Sequence, residues 1–351
     1  MNALYKERTI AMRKPAGFTP PVQRWSACFP EHIPHYRVAF YGVQSWEAEE
    51  IAQATFFKWF ERASTGPNRP AASDHSRFVD QNGFINHVYA CYWSDDARFQ
   101  RWQSDRQYRE FWDAPARTTD AVGCWREEML VPIERQESVF FLDFIAGIGR
   151  CEAATLEKTF ETGYFGSMRD RIPLAASDAL TSPKGNALPE MIERDSAHAR
   201  WQVHVPENLA VIRSGQYWGR CQQEQYDDYL QNLKPALDAG MEFLRQQPKD
   251  NGCCALRFMR YCDVDGREQP ETAALGYFLS LAHLESWSEN HPTHHSIYGQ
   301  AMAALMKYQE RREFRTWHEV FVLPNDRQFF EYCNCHPHTG LLGYFDAIRK
   351  A

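Results

Sequence analysis

Three short runs near the end of the chain concentrate histidine. They read Trp287-Ser-Glu-Asn-His291-Pro-Thr-His294-His295, then Trp317-His318-Glu319-Val320, then Asn334-Cys-His336-Pro-His338-Thr-Gly340. Imidazole is the commonest metal-binding side chain and the one that titrates nearest neutrality. His294 opens a segment in which Ile297, Ala301, Leu305 and Tyr308 fall at helical spacing, and Pro292 suits its first turn. His318 sits in a run of strand length, where alternation puts Trp317 and Glu319 on one face and His318 on the other. A neutral imidazole fixed on a helix can hold haem iron from one side. A second imidazole, on a strand facing the same cavity, can serve as general acid and base. His291 and His295 compete with His294 for the ligand role.

Two further groups carry chemistry. Gly163-Tyr-Phe-Gly166-Ser-Met-Arg-Asp-Arg171 offers two glycines, which allow close backbone approach to a flat group. Arg171 can hold a propionate or polarise a leaving oxygen. Ser214, in the strand-like run Val211-Ile-Arg-Ser-Gly215, can bind a substrate through its hydroxyl. Cys333-Asn-Cys335-His336 does not have the spacing of a zinc finger or knuckle. Neither a glycine-rich phosphate loop nor a Gly-x-Ser-x-Gly elbow occurs.

These residues need elements to position them. Residues 1–34 read as an extended, proline-containing arm. Arg37–Val43 is strand-like, 47–63 helical, 64–82 mostly loop, and 88–93 a strand. Asp95 caps a helix running to about Trp112, and Trp125–Pro132 closes the set. The set recurs. Tyr92-Trp93 with Trp102 lies over Tyr277-Phe278 with Trp287, and Trp125-Arg126-Glu127 through Pro132 lies over Trp317-His318-Glu319 through Pro324. Each half reads strand, helix, two strands, helix, strand. The expected fold is α+β: two ferredoxin-like repeats, 35–135 and 207–351, packed as a barrel-like antiparallel core surrounded by helices, with 136–206 connecting them. Arg109 takes the place of His294 in the first copy and Arg126 that of His318, so one site per chain is expected.

Composition narrows the class. The 351 residues are 44% hydrophobic and 14% aromatic, enough for a large core and suited to a flat apolar cofactor. Net charge is −7 and no long basic run occurs, so nucleic acid is not an expected partner. No stretch reaches the roughly 20 apolar residues of a membrane span. The first residues have no apolar signal core, and the ten cysteines are scattered, which points to free thiols and a cytoplasmic setting.

Taken together, five segments resemble the bacterial haem-containing aldoxime dehydratases. They are 163–171, Ile-Arg-Ser-Gly-Gln at 212–216, Glu-Ser-Trp-Ser-Glu-Asn-His-Pro-Thr-His at 285–294, Trp-His-Glu-Val at 317–320, and Tyr-Cys-Asn-Cys-His-Pro-His-Thr-Gly at 332–340. The resemblance implies haem b, used as ferrous iron, in a homodimer that dehydrates aldoximes to nitriles. By motif it implies His294 as axial ligand, His318 as catalytic acid and base, and Ser214 as the group holding the oxime hydroxyl. Arg171 and Glu137, the latter in a segment that departs from the more familiar members, are implied as supporting groups. A haem peroxidase or chlorite-converting enzyme, or a haem carrier without catalysis, would draw on part of the same set. Preference between aliphatic and aryl aldoximes is not readable from these residues.

Overall fold

The computed structural model describes residues 7–46 and 50–350, so the expected helix start at 47–49 lies outside the described residues. The first half runs β1 (Arg24–Cys28), β2 (His35–Ser45), α1 (Glu50–Ala63), β3 (Ala72–Val79), β4 (Ile85–Trp93), α2 (Asp96–Ser104), α3 (Arg106–Trp112) and β5 (Gly123–Pro132). A connecting stretch holds β6 (Gln136–Val139), β7 (Thr155–Thr159), α4 (Ser167–Arg171) and β8 (Arg200–Val203). The second half runs β9 (Leu209–Tyr217), α5 (Gln223–Asp228), α6 (Lys234–Gln246), α7 (Pro248–Asn251), β10 (Cys253–Cys262), β11 (Glu268–Phe278), α8 (Leu281–Asn290), α9 (Pro292–Tyr308) and β12 (Arg315–Leu323). β13 (Gln328–Cys333) and β14 (Ala347–Lys350) follow.

Twelve strands form one antiparallel sheet in the order β14-β8-β13-β5-β2-β4-β3-β10-β11-β9-β12-β6, while β1 pairs with β7 apart from it. The fold is therefore α+β. At its centre, β5-β2-β4-β3 and β10-β11-β9-β12 are two four-stranded blocks with the same connectivity, joined where β3 meets β10. The sheet does not close: among the described residues its end strands are β14 and β6, the latter flanked by β1 through a backbone bridge between Trp25 and Phe140, so the expected barrel is absent as a hydrogen-bonded ring.

The inner faces of the blocks share one core that includes Phe40, Tyr92, Trp125, Val211, Tyr277 and Trp317. The halves reach across it reciprocally. Tyr92 donates to Glu319, and Tyr277 donates to Glu127 at 2.5 Å. Arg257 grips Glu127 across the core through two bonds of 2.6 Å, while within the second block Arg213 lies 3.4 Å from Glu319. Close strand-to-ring packing also repeats: a Cβ at Gly42 would meet Trp125 at 2.0 Å, and one at Gly215 would meet Trp317 at 2.2 Å.

Two local departures from the sequence reading have physical causes. Residues 64–82, expected as mostly loop, contain β3, whose polar run Ala-Ser-Asp-His-Ser-Arg-Phe-Val hides its strand character. It is held from both sides by β4 and β10. The single helix expected from Asp95 to Trp112 is two. Asp95 caps α2 through the Ala97 N–H at 2.9 Å. Asp105 then turns extended and caps α3 through the Gln107 N–H at 2.8 Å, because a short carboxylate competes well for free amides.

The outer faces differ. Helices α1–α3 seal the first block with packed aromatics, among them Tyr41, Phe56, Trp59, Trp102 and Trp112. Helices α6, α8 and α9 cover the second block and leave a cavity between helix and sheet.

Candidate active site

Strand register builds the sheet side of this cavity. β12 and β9 pair His318 directly with Ser214, so the two side chains stand side by side on one face. β12 and β6 pair His318 with Val139 and Val320 with Glu137, which puts Glu137 two residues along β6 on the face that Val139 shares. Trp317 and Glu319 point the other way, into the core, as alternation predicts.

Helix α4 brings in Arg171. Its Nε donates to Glu137 Oε2 at 2.7 Å, one Nη donates to the Glu161 carbonyl, and the other Nη lies 2.9 Å from His318 Nε2. Glu137 Oε1 lies 3.0 Å from the same Nε2. One ring nitrogen thus faces a fixed cation and a fixed anion. As a lone pair it accepts from Arg171. Once protonated it donates to Glu137 Oε1, an oxygen otherwise buried without a hydrogen bond. Burial alone would raise the Glu137 carboxyl, but Arg171 and then His318 outweigh it and hold the group below the ordinary carboxylate range. The arrangement can store a proton on His318 and release it.

The helix side carries His294, in the first turn of α9. Its neighbours are occupied otherwise. His291 caps α9 through the Thr293 N–H and stacks on Phe243 at 3.7 Å, while His295 bonds the Glu289 carbonyl at the surface. His294 lines the cavity, edge-on to Trp287 at 4.8 Å, with Nδ1 buried and lacking a well-formed hydrogen bond. Burial pushes the ring down to about 4, the Ser288 backbone opposing weakly, so at neutral pH it is uncharged with a lone pair available. Between His294 and the sheet lie apolar walls from Met241, Phe278, Leu284, Ile297 and Leu305. The cavity, partly open to solvent, has a volume of about 310 Å³, at the lower end of the ~300–1,000 Å³ common for small-ligand pockets.

Several expectations shift in detail. Gly163 and Gly166 do adopt left-handed backbone, with φ of 85° and 88°, and line the cavity. Yet the close approach they permit is to the chain's own arm: a Cβ would meet Pro21 at 2.9 Å and Arg13 at 2.6 Å. Arg171 is engaged by Glu137, Glu161 and His318, leaving little to offer a propionate. The arm itself lies on the connecting segment. Thr9 and Ile10 donate to the Ala176 carbonyl, Arg13 and Lys14 donate to Asp170, and Pro21, Val22 and Arg24 form part of the cavity wall. In the first block Arg126 is buried against Tyr108 and Glu331, and Arg109 is exposed beside a shallow surface hollow, so neither repeats the imidazole pair of the second block.

Sequence reasoning missed Gln216, Arg24, Arg312 and Thr316 in the wall. Gln216 follows from alternation two residues past Ser214. Thr316 likewise follows from alternation two residues before His318 on β12, whereas Arg24 and Arg312 come from the arm and from the turn before β12, where no periodicity marks a direction.

The chain matches the model of the haem-containing dehydratases over residues 39–341. It is 33% identical to an aliphatic aldoxime dehydratase of Pseudomonas chlororaphis over 339 residues, covering 95% of this chain and 94% of that one. It is 30% identical to a phenylacetaldoxime dehydratase of Bacillus sp. (strain OxB-1), covering 95% of each. Its fold superposes on a crystal structure of an aldoxime dehydratase in complex with butyraldoxime with a TM-score of 0.88 and 30% identity, covering 97% of this chain and 94% of that one. With the match spanning both blocks and every element of the cavity's sheet face, the chain belongs to the haem-containing dehydratase family.

Proposed function

We propose that this protein dehydrates aldoximes, R–CH=N–OH, to nitriles and water. The observation that carries the reading is the pair of imidazoles lining one cavity: His294, neutral and without a firm partner, and His318, set between Arg171 and Glu137. The relatives' names supply the substrate class.

The residues fit haem b. A neutral helix histidine suits an axial ligand, and the apolar walls suit a macrocycle. When bound, ferrous haem supplies a site for the oxime nitrogen and electron density toward the N–O bond. The protein's own groups then manage protons. Hydroxide is a poor leaving group, so it has to leave as water. Ser214 donates a hydrogen bond to the oxime oxygen and holds it beside His318. Protonated His318 gives its proton to that oxygen as the N–O bond breaks, and the ring then accepts from Arg171. The neutral ring removes the proton on carbon as C≡N forms, and Glu137 receives the new N–H. Arg171 and Glu137 position the ring in both states.

The two central blocks are read as ferredoxin-like repeats, 35–135 and 207–351, facing each other across their shared core. Their common strand connectivity and the reciprocal Tyr92–Glu319 and Tyr277–Glu127 bonds support this. Within the arm Pro21, Val22 and Arg24 complete the cavity wall, and the segment 136–206 does so through Val139 and residues 162–168, while its Glu137 and Arg171 reach the His318 ring. A homodimer in the cytoplasm is the assembly and setting we infer. No helix among the described residues is long and apolar enough to cross a membrane.

The test is anaerobic assay of the reduced holoprotein with alkyl and aryl aldoximes, beside two variants. His294→Ala is expected to lose haem. His318→Ala is expected to keep haem and lose nitrile formation by about 10²- to 10⁴-fold, the usual contribution of a general acid–base group. A full haem complement in the first variant would remove the axial role. Undiminished turnover in the second would remove the catalytic one. No nitrile from the ferrous wild type would end the proposal.

A further inference from the structure

The cavity has a cationic end that this scheme does not use. Arg24, opening β1, and Arg312, just ahead of β12, both line it, and each is only 8% exposed. Neighbouring arginines are neutralised: Arg171 by Glu137 at 2.7 Å, Arg315 by Asp143 at 2.8 Å. Arg24 and Arg312 have no such carboxylate among the described residues. Arg24 donates only to neutral oxygens, the Phe140 carbonyl at 3.2 Å, the Thr316 carbonyl at 2.7 Å and the Thr316 hydroxyl at 3.4 Å. The Arg312 Nε is buried without a hydrogen bond, and its guanidinium rests against Phe141 and Phe314, 5.7 and 5.5 Å from their centroids. Phe141 also carries Arg24 at 4.1 Å, so one ring gathers both cations.

Electrostatics agree with the geometry. Burial, then Arg312 and Arg171, push Arg24 down to about 9, and burial with Arg315 pushes Arg312 down to about 10. Buried cations left unpaired are strongly disfavoured unless a ligand supplies the counter-charge. The Thr316 carbonyl that holds Arg24 lies two residues from His318. The charge therefore sits beside the proposed reaction site.

We propose that Arg24 and Arg312 form a carboxylate-binding subsite at this end of the cavity. Guanidinium geometry suits a carboxylate through two parallel N–H donors. The carboxylate has two possible sources, an acidic group on the aldoxime or a haem propionate. The first source rests on the aldoxime reading; the second does not.

Two arms separate them. In the first, the optical spectrum of the holoprotein is titrated with 4-carboxybenzaldoxime and with its methyl ester. In the second, haem-free protein is reconstituted with haem and with haem dimethyl ester. Wild type is expected to prefer the free acid in at least one arm by roughly tenfold to hundredfold, the range a charge-assisted hydrogen bond supports. Arg312→Gln, which disturbs no side-chain hydrogen bond among the described residues, and Arg24→Gln are expected to erase that preference while leaving ester affinity unchanged. Loss in the first arm assigns the substrate, and loss in the second assigns the propionate. Equal binding of acid and ester by wild type in both arms, or a preference that survives Arg312→Gln and Arg24→Gln together, overturns the subsite. If no aldoxime perturbs the spectrum, the dehydratase reading fails, and the reconstitution arm still decides the subsite.

Discussion

His318 shows how much a residue's chemistry depends on what surrounds one atom. Its Nε2 meets Arg171 and Glu137 at 2.9 and 3.0 Å, so either protonation state has a partner ready. His294 is the opposite case, a ring stripped of water and left with little to bond. Its value is depressed to about 4 against an ordinary 6.5, chiefly by burial. The sign follows from linkage. Below pH 6.5 the unfolded chain takes up a proton that the folded ring refuses, so the stability tied to this group is present above 6.5 and falls as pH drops toward 4. Thermal midpoints of haem-free protein should therefore decline over that window, and less steeply in His294→Gln. Identical slopes would show the ring to be freely protonated. Both histidines were legible from sequence, because strand alternation and helix stripe gave each a direction. Arg24 and Arg312 were not, since a charged residue in an arm or turn is ordinarily solvated and nothing local announces burial.

At the scale of elements, the site is a matter of register. Ser214 and His318 meet because β9 and β12 pair at those residues, and Gly215 fixes how closely the strand lies on Trp317. Gly215→Ala would force a Cβ into that ring. The expected cost is about 1–3 kcal/mol of stability, with a lower thermal midpoint and a loss of turnover from displaced Ser214 and His318. Gly42→Ala meets Trp125 in the same way on the far block, and should cost similar stability while sparing turnover in the folded fraction. Calorimetry with specific activity separates the two, and equal activity losses would undo the argument. Strands with apolar alternation and helices with clear stripes were visible in the sequence. β3 was not, because its polar residues serve partners such as Arg150 and Arg213 that lie far away in the chain. The break between α2 and α3 was hidden because Asp105 fits a helix surface as readily as a cap.

At the scale of the molecule, one architecture is used twice and finished differently. The first block's outer face is filled by rings, and the second's is left hollow for chemistry. The spacing of Trp125 and Trp317 pointed to two blocks of like strand order, which the sheet has; the openness of the sheet was not visible, since sheet closure depends on how distant edges meet. Each block's buried glutamate is bonded by a tyrosine of the other. Urea unfolding should accordingly be a single transition by both fluorescence and circular dichroism. Two separated transitions would mark the blocks as independent.

The arm's path has a practical corollary. Pro21, Val22 and Arg24 are wall residues, reached within a short length of chain from the first described residue. β14 instead sits at the opposite sheet edge from β12 and its neighbour β6. Loss of the stretch before β1 therefore strips wall from the reaction chamber, whereas β14 contributes no side chain to that wall, making the arm the segment to guard against proteolysis in kinetic work.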